Sequence, residues 1–248
     1  MKYFYLTDSG KVRDHNEDSV VITKNDEGDF LMAIADGMGG HSAGEIASSI
    51  AINYLENKFT ETFHDMTKVD AVNWIRDVVD EINKEILDHT KTHPESFGMG
   101  TTCVMALLSK DYLIFGNIGD SSGFVFKNGK LHKVTKDHTL VNLLVAAGDL
   151  TEEEAKYHPK KNVLMKALGS SEKAEIDVFD VELDIDGIFL CSDGLTNMLT
   201  KEQIEKVLND EELNIEEQVI KLIRKSNARG GTDNISIAYL SLKEGEEE

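Results

Sequence analysis

The chain has 248 residues, with 26 Lys plus Arg against 46 Asp plus Glu, and a formal net charge of −20 with His neutral. At 40% hydrophobic and 29% charged residues it has the composition of a folded globular protein, and at this length roughly three quarters of the unfolded surface can be buried without a disulfide or structural metal. The acidic charge repels nucleic acid and anionic lipid, no Lys/Arg stripe interleaved with aromatics offsets it, and nowhere do about 18 apolar residues run together, so nucleic-acid and membrane partners are excluded from the reading.

In chain order, the short apolar runs YFYL, SVVIT and FLMAIAD, separated by turn residues around Asn25 to Asp29, predict strands as far as about residue 40. The opening MKYFYLTDSG holds no apolar stretch of signal-peptide length, so a soluble cytoplasmic chain is expected. Two amphipathic helices follow. In the first, 42–59, Ile46, Ile50 and Tyr54 recur at intervals of four, with Ala47, Ala51 and Leu55 beside them. In the second, 70–90, Ile75, Val79, Ile82 and Ile86 mark the buried face. Residues 100–136 return to strands (TTCVMALLS, YLIFGNIG, SGFVFKNG, KLHKVT) and read as a meander. Residues 139–170 are mixed, and Thr151 to Glu154 form a capping box ahead of a short helix. IDVFDVEL and GIFLCS are strands flanking Asp184 to Gly187, which reads as a hairpin turn. A capping box at Thr200 and Gln203 opens a helix, another spans 215–227, and NISIAYLSL closes as a strand.

Strand and helix blocks do not alternate one for one, which predicts an α+β architecture of antiparallel sheets with helices packed on them. Only two prolines occur, Pro94 and Pro159, and no linker divides the sequence, so 1–242 is expected to be one domain. The acidic tail KEGEEE, 243–248, is expected to be disordered. Cys103 and Cys191 lie in apolar runs and read as small buried hydrophobes in a reducing compartment, not as catalytic thiols.

The informative acids are those bounded by apolar strands or glycines: Glu17-Asp18 in RDHNEDS, Asp36-Gly37 in AIADGMGG, Asp120 in GNIGDS, Asp193-Gly194 in FLCSDGL and Asp233-Asn234 in RGGTDNIS. Taken singly, an Asp at a strand end is a turn residue. Repetition argues otherwise. If the sheets bring these strand ends to one edge, four or five carboxylates converge there and cannot all ionise at neutral pH without cations. Hard oxygen donors select Mg²⁺ or Mn²⁺, and no HExxH or CxxC points to zinc. Two ions about 3.5–4 Å apart would activate a bridging water and clamp a phosphoryl group. Gly37 would let its carbonyl approach as a ligand, and Arg13 would offer a fork of donors to phosphate oxygens, the alternative for Arg13 being a salt bridge to a neighbouring acid.

RDHNEDS, DGMGGH, GMGTT, GDS, DHTLV, SDGL and GGTDNIS, in this order from about Asp8 to Leu242, resemble the metal-dependent Ser/Thr protein phosphatases of the 2C type, especially compact bacterial members. The resemblance implies a four-layer α/β/β/α sandwich with a dinuclear Mn²⁺/Mg²⁺ centre at one end. It implies that Asp36 bridges both metals, that the Gly37 carbonyl binds the second, and that Asp193 and Asp233 bind the first. Asp18 and Glu17 would hold metal-bound waters, Asn234 would support them, and Asp120 with Asp193 would hold the third metal that bacterial relatives often bind. Arg13 would bind substrate phosphate, and a flap over about 141–169 would influence substrate choice. The implied activity is hydrolysis of phosphoserine and phosphothreonine in proteins by a monomer opposing a cognate bacterial Ser/Thr kinase.

Two positions depart from the family pattern. Animal members carry a His after the Asp-Gly, a proposed general acid, where this chain, like bacterial members, has Met38. His41 is expected to be a cap or surface residue, which leaves a metal-bound water as the proton source. Ser122 stands where the family's GDSR has Arg, a change expected to touch hairpin packing more than metal chemistry. Three other readings are weaker. A haloacid-dehalogenase-type phosphatase would need Asp184-Ile185-Asp186 after a first Rossmann strand; a non-catalytic 2C-type domain would lack metal ligands; and nucleotide binding would need GxGxxG or GxxxxGK[ST].

Overall fold

The structure is a computed structural model and describes residues 1–40 and 43–242. His41 and the tail 243–248, for which the sequence carried expectations, lie outside the described residues. Along the chain, β1 (Lys2–Asp8), β2 (Asp18–Lys24) and β3 (Phe30–Met38) precede α1 (Ala43–Thr62) and α2 (Lys68–Thr92). Next come β4 (Gly100–Thr101), β5 (Cys103–Leu108), β6 (Leu113–Ile118), β7 (Ser122–Lys127) and β8 (Lys130–Lys133), then α3 (Leu140–Ala147) and α4 (Glu152–Tyr157). β9 (Asp177–Val181), β10 (Gly187–Cys191), α5 (Asp193–Thr196), α6 (Lys201–Leu208), α7 (Ile215–Ala228) and β11 (Ile235–Ser241) complete the order.

Side-chain alternation sets the layers. In β3, Leu31, Ala33 and Ala35 join one apolar cluster while Phe30, Met32 and Ile34 join another, as period-two geometry requires of a strand covered on both faces. β11 divides likewise, Ile235, Ile237 and Tyr239 against Ala238 and Leu240. The shared cluster lies between two antiparallel sheets, ordered β1-β11-β10-β7-β8 and β2-β3-β5-β6-β9, with β4 paired to β3. Helices α1 and α2 cover the second sheet, and α6 and α7 cover the first. This is the expected four-layer α/β/β/α sandwich.

α2 starts two residues before the expected position because Thr67 caps it, accepting from the Asp70 N–H at 3.3 Å while Asp70 accepts from the Thr67 N–H at 3.2 Å. Such a cap is worth about 1 kcal/mol. Each fully buried aliphatic side chain contributes roughly 1.5–3 kcal/mol, and Ile75, Val79, Ile82 and Ile86 are all fully buried, so packing outweighs the cap. The expected boxes at Thr151 and Glu154 and at Thr200 and Gln203 are also present.

Two connections differ from expectation. The strands of 100–136 do not form one meander: β5 and β6 pair in one sheet, β7 and β8 in the other, and the Gly119 to Ser121 turn crosses between them. Asp184 to Gly187 is not a hairpin turn either. β9 pairs with β6 while β10 pairs with β7 and β11, and the crossing is tied to the first sheet by the Asp186 N–H donating to the Phe126 carbonyl at 2.7 Å. Strands buried on both faces read as continuous apolar runs, so their sequence does not say which sheet they enter.

Candidate metal centre

Five strand ends and turns carry the singled-out acids to one end of the sandwich. Asp18 opens β2 and stands opposite Asp36 in the β2–β3 ladder. Asp120 sits in the β6–β7 crossing, Asp193 begins α5 one residue beyond β10, and Asp233 lies two residues ahead of β11. Arg13, Glu17, Asp36, Gly37, Met38, Asp120, Asp193, Asp233 and Asn234 line one cleft of about 260 Å³, together with Asn162 and Leu164. Asp18 is outside that lining and buried beside Asp36.

The backbone is fixed before any side chain acts. The Asp36 N–H donates to Thr102 Oγ1 at 3.0 Å, and its carbonyl accepts from the Thr102 N–H at 2.9 Å and Thr101 Oγ1 at 3.0 Å. Thr102 Oγ1 lies 2.8 Å from Ser121 Oγ, joining the Asp36 strand to the turn that carries Asp120. Gly37 has no room for a side chain: a Cβ there would stand 2.1 Å from the Gly44 carbonyl oxygen and 2.6 Å from that of Glu17. Asn234 anchors the loop that bears Arg13, donating to the carbonyls of Ser9 (3.0 Å) and His15 (2.9 Å) and accepting from the Glu17 N–H at 2.9 Å. Arg13 Nη2 in turn donates to Asp233 Oδ2 at 2.8 Å, so the salt-bridge alternative raised by the sequence is realised here.

Electrostatics mark the cluster as one that wants cations. Burial pushes Asp18 up to about 7, with Asp193 and Asp233 adding to the rise against hydrogen bonds from Ser236 and Ser192. Burial followed by Asp193 and Asp137 pushes Asp120 up to about 7, and burial followed by Asp233 pushes Asp193 up to about 6. Asp36 is held well above the usual carboxylate range, first by burial and then by Asp18, Asp193, Asp120 and Asp233. Glu17 is also raised, chiefly by burial, although Arg13 opposes the rise.

The donor set fits hard divalent ions. Asp18 Oδ2 accepts from Ser192 Oγ at 2.8 Å and Ser236 Oγ at 2.7 Å, whereas Asp18 Oδ1 is buried with no hydrogen-bond partner. A buried carboxylate oxygen left unpaired is costly unless a water or ion satisfies it. Among the described residues no three His, Cys, Asp or Glu side chains close into a cage around a single ion. The carboxylates line an open cleft instead, suited to Mg²⁺ or Mn²⁺, which keep several waters, and unlike the closed tetrahedron of structural zinc.

The family model described as Protein phosphatase 2C matches residues 10–227. The chain belongs to the protein phosphatase 2C family. It is 38% identical over 234 residues to the serine/threonine phosphatase stp of Listeria welshimeri, covering 94% of this chain and 92% of that protein. With the protein phosphatase PhpP of Streptococcus pneumoniae it shares 35% identity over 254 residues, covering both chains fully. Among solved structures, the S. agalactiae serine/threonine phosphatase superposes with a TM-score of 0.92 at 36% identity, covering 98% of this chain and 99% of that one. Stp1 from Staphylococcus aureus also gives 0.92, at 33% identity and 98% and 95% coverage. The 2C family is dependent on Mn²⁺ or Mg²⁺.

Sequence reasoning missed the hydroxyls of Thr102, Ser121, Ser192 and Ser236, which support the carboxylates without being acidic themselves. Their signal was adjacency: Ser192 precedes Asp193, and Ser236 lies two residues from Asn234, on the same side of an extended chain. It also missed His138. Its Nδ1 accepts from the Gly119 N–H at 3.1 Å, its Nε2 lies 3.2 Å from Asp177 Oδ2, and its carbonyl accepts from the Met165 N–H at 2.8 Å, so it ties the Asp120 turn to Asp177 and Met165. Ser122 is buried in β7 and pairs with Cys191 in register, a packing position as expected. Both cysteines are buried and free, and burial pushes Cys103 up to about 12 and Cys191 further still, so neither acts as a thiolate at neutral pH.

Proposed function

We propose that this cleft is a dinuclear Mn²⁺ or Mg²⁺ centre that hydrolyses phosphoserine and phosphothreonine in proteins. The observation that carries the reading is the convergence of Asp36, Asp120, Asp193 and Asp233 on one cleft, where burial raises the proton affinity of Asp36, Asp120 and Asp193, beside the unpartnered Asp18 Oδ1. The enzyme is a metal-dependent phosphoprotein phosphatase, a phosphoric monoester hydrolase, and its substrates are phosphorylated proteins.

In this reading Asp36, the Gly37 carbonyl, Asp193 and Asp233 would hold the two ions. Asp120, whose proton affinity is raised by burial and then by Asp193, would with Asp193 hold a third ion. Glu17 and Asp18 orient waters, and Asn234 fixes the loop beneath Arg13. When bound, such ions supply a nucleophile from water and neutralise charge on the phosphoryl oxygens. Arg13, half exposed at the cleft mouth, exchanges its Asp233 partner for phosphoryl oxygens and orients the group for in-line displacement. As the P–O bond breaks, the leaving serine or threonine oxygen takes a proton. Met38 lines the cleft and has none to give, so water in the cleft supplies it.

Residues 1–242 act as one catalytic domain, with 141–169 as a flap beside the cleft. Among the described residues no helix is long and apolar enough to cross a membrane. We place the enzyme in the cytoplasm as a monomer, opposing a Ser/Thr kinase. The test is hydrolysis of an aryl phosphate and a phosphothreonine peptide with Mn²⁺, with Mg²⁺ and with excess chelator, for wild type and Asp193→Asn. Turnover that requires metal and collapses in the variant is expected. Full activity in chelator would overturn the reading.

A further inference from the structure

A second and larger groove, about 940 Å³, opens from the metal cleft and shares Asp120, Asn162 and Asp193 with it. It runs between the flap segment and the end of the sheet that carries Lys133 and Lys136. Five lysines and five acids, Asp120, Asp137, Glu152, Asp177 and Asp193, line it, so the groove is neutral where the chain as a whole is strongly acidic. Within a protein of net charge −20, residues 155–166 (AKYHPKKNVLMK) carry four lysines and no acid. Lys156, Lys161 and Lys166 of that stretch line the groove, facing Lys133 and Lys136.

Three of these five cations are already engaged. Lys133 pairs with Asp137 at 2.7 Å, Lys156 with Glu153 at 2.7 Å, and Lys166 with Glu175 at 3.4 Å and Asp177 at 3.8 Å. Lys136 and Lys161 have no carboxylate partner among the described residues, and both are exposed. Lys161 is nonetheless held in place. Its N–H donates to the His158 carbonyl at 3.1 Å, the next turn closes by the Val163 N–H on the Lys160 carbonyl at 3.2 Å, and the Leu140 N–H bonds the Val163 carbonyl at 2.8 Å. Between the two lysines the wall is apolar, with Leu143 and Met165 about half exposed.

We infer that this groove receives the substrate segment flanking the phosphorylated residue, and that Lys136 and Lys161 select substrates carrying Asp or Glu there. The inference rests on the phosphatase reading and names a substrate class within it. An extended peptide advances about 3.3 Å per residue, so side chains a few positions from the phosphoresidue enter the groove while the phosphate sits in the cleft. The chemistry is complementary at short range. A chain of net charge −20 repels an acidic substrate overall; in the groove Asp137 and Asp177 are paired to lysines and Asp120 and Asp193 face the cations of the cleft, so Lys136 and Lys161 outnumber the one remaining acid, Glu152.

The experiment compares two phosphothreonine peptides that differ only in having Glu or Gln at the two positions on each side of the phosphoresidue, with aryl phosphate turnover as the reference for each enzyme. Wild type with Mn²⁺ is expected to favour the Glu peptide in kcat/KM by about three- to tenfold, the scale of a few exposed ion pairs, with the preference shrinking as salt rises. In Lys136→Gln/Lys161→Gln the ratio is expected to fall to about one, and in Lys136→Arg/Lys161→Arg to persist. Equal rates on the two peptides by wild type, or an undiminished preference in the Gln variant, overturns the inference while the aryl phosphate rate still upholds the phosphatase reading. Absence of metal-dependent aryl phosphate turnover in wild type overturns that reading, and this inference with it.

Discussion

Asp18 and Asp36 face each other across the β2–β3 ladder, two buried carboxylates on directly paired residues. Burial raises the proton affinity of both, Asp18 to about 7, and Asp18 adds to the rise of Asp36. Stability without metal therefore depends on pH in a defined direction. Asp18 and Asp120 titrate at about 7 and Asp193 at about 6, against about 3.9 for an unfolded Asp. Between those values the folded state binds more protons than the unfolded one, so stability is highest at the acidic end and is lost as pH rises through 6 to 7. Carboxylates elsewhere, such as Glu81 and Asp210, are lowered and act below this window. The melting temperature in excess chelator is expected to fall from pH 5 to pH 8, and Mn²⁺ to raise it more at pH 8 than at pH 5. A profile that is flat in chelator would contradict the electrostatic account.

Asp18→Asn separates charge from shape. The amide oxygen can still accept from Ser192 and Ser236, while the unpartnered position loses its negative charge. Without metal at pH 8 the variant is expected to melt above wild type by a few degrees, because a repulsive buried charge is gone. Its metal affinity, measured by calorimetry, is expected to fall by roughly 10–100-fold, the usual cost of losing a group that orients a metal's ligands. Unchanged metal affinity would remove Asp18 from the centre.

Arg13 and Asp233 form a 2.8 Å pair whose side chains are 49% and 33% exposed. Pairs this accessible contribute about 0–1 kcal/mol, so Arg13→Ala is expected to change metal affinity by less than about fivefold. Phosphopeptide kcat/KM should drop far more, by about a hundredfold, since orientation of the phosphoryl group is lost. A large loss of metal affinity would instead make Arg13 a structural support for the acidic cluster.

Gly37 and Gly40 give a matched pair of substitutions. A methyl group at Gly37 would collide with two backbone carbonyls, whereas at Gly40 nothing among the described residues lies within 4 Å. Backbone cannot rotate away as a side chain can, so Gly37→Ala is expected to cost about 3 kcal/mol or more in urea unfolding, above the usual range for overpacking. Gly40→Ala should remain within about 0.5 kcal/mol of wild type. Equal midpoints for the two would show that β3 and α1 do not approach as closely as described.

What the sequence disclosed follows a physical divide. Ile75, Val79, Ile82 and Ile86 announce α2 because its period repeats over many residues, and strand ends bearing Asp beside Gly announce the cleft because acids are rare next to buried strands. Sheet membership was hidden. GIFLC in β10 and LIFGNI in β6 are buried throughout, and nothing within either run says that the first pairs with β11 and the second with β9. The Ser192 and Ser236 hydroxyls were hidden for another reason: a serine acquires its role only from the partner that folding brings to it, here Asp18, 174 and 218 residues away.

β11 is the last strand along the described chain, yet it lies inside its sheet, between β1 and β10. β1, the first strand of the described chain, has β11 as its sheet neighbour, and the loop bearing Arg13 is pinned by Asn234 just ahead of that same strand. During synthesis β1 must therefore wait with an open edge until residues 235–241 have left the ribosome. The cleft has no Asp233, and Asp18 lacks the Ser236 hydroxyl, until that moment. Closing β1 onto β11 and completing the acidic cluster are thus one event, which cannot precede the emergence of residues 233–241.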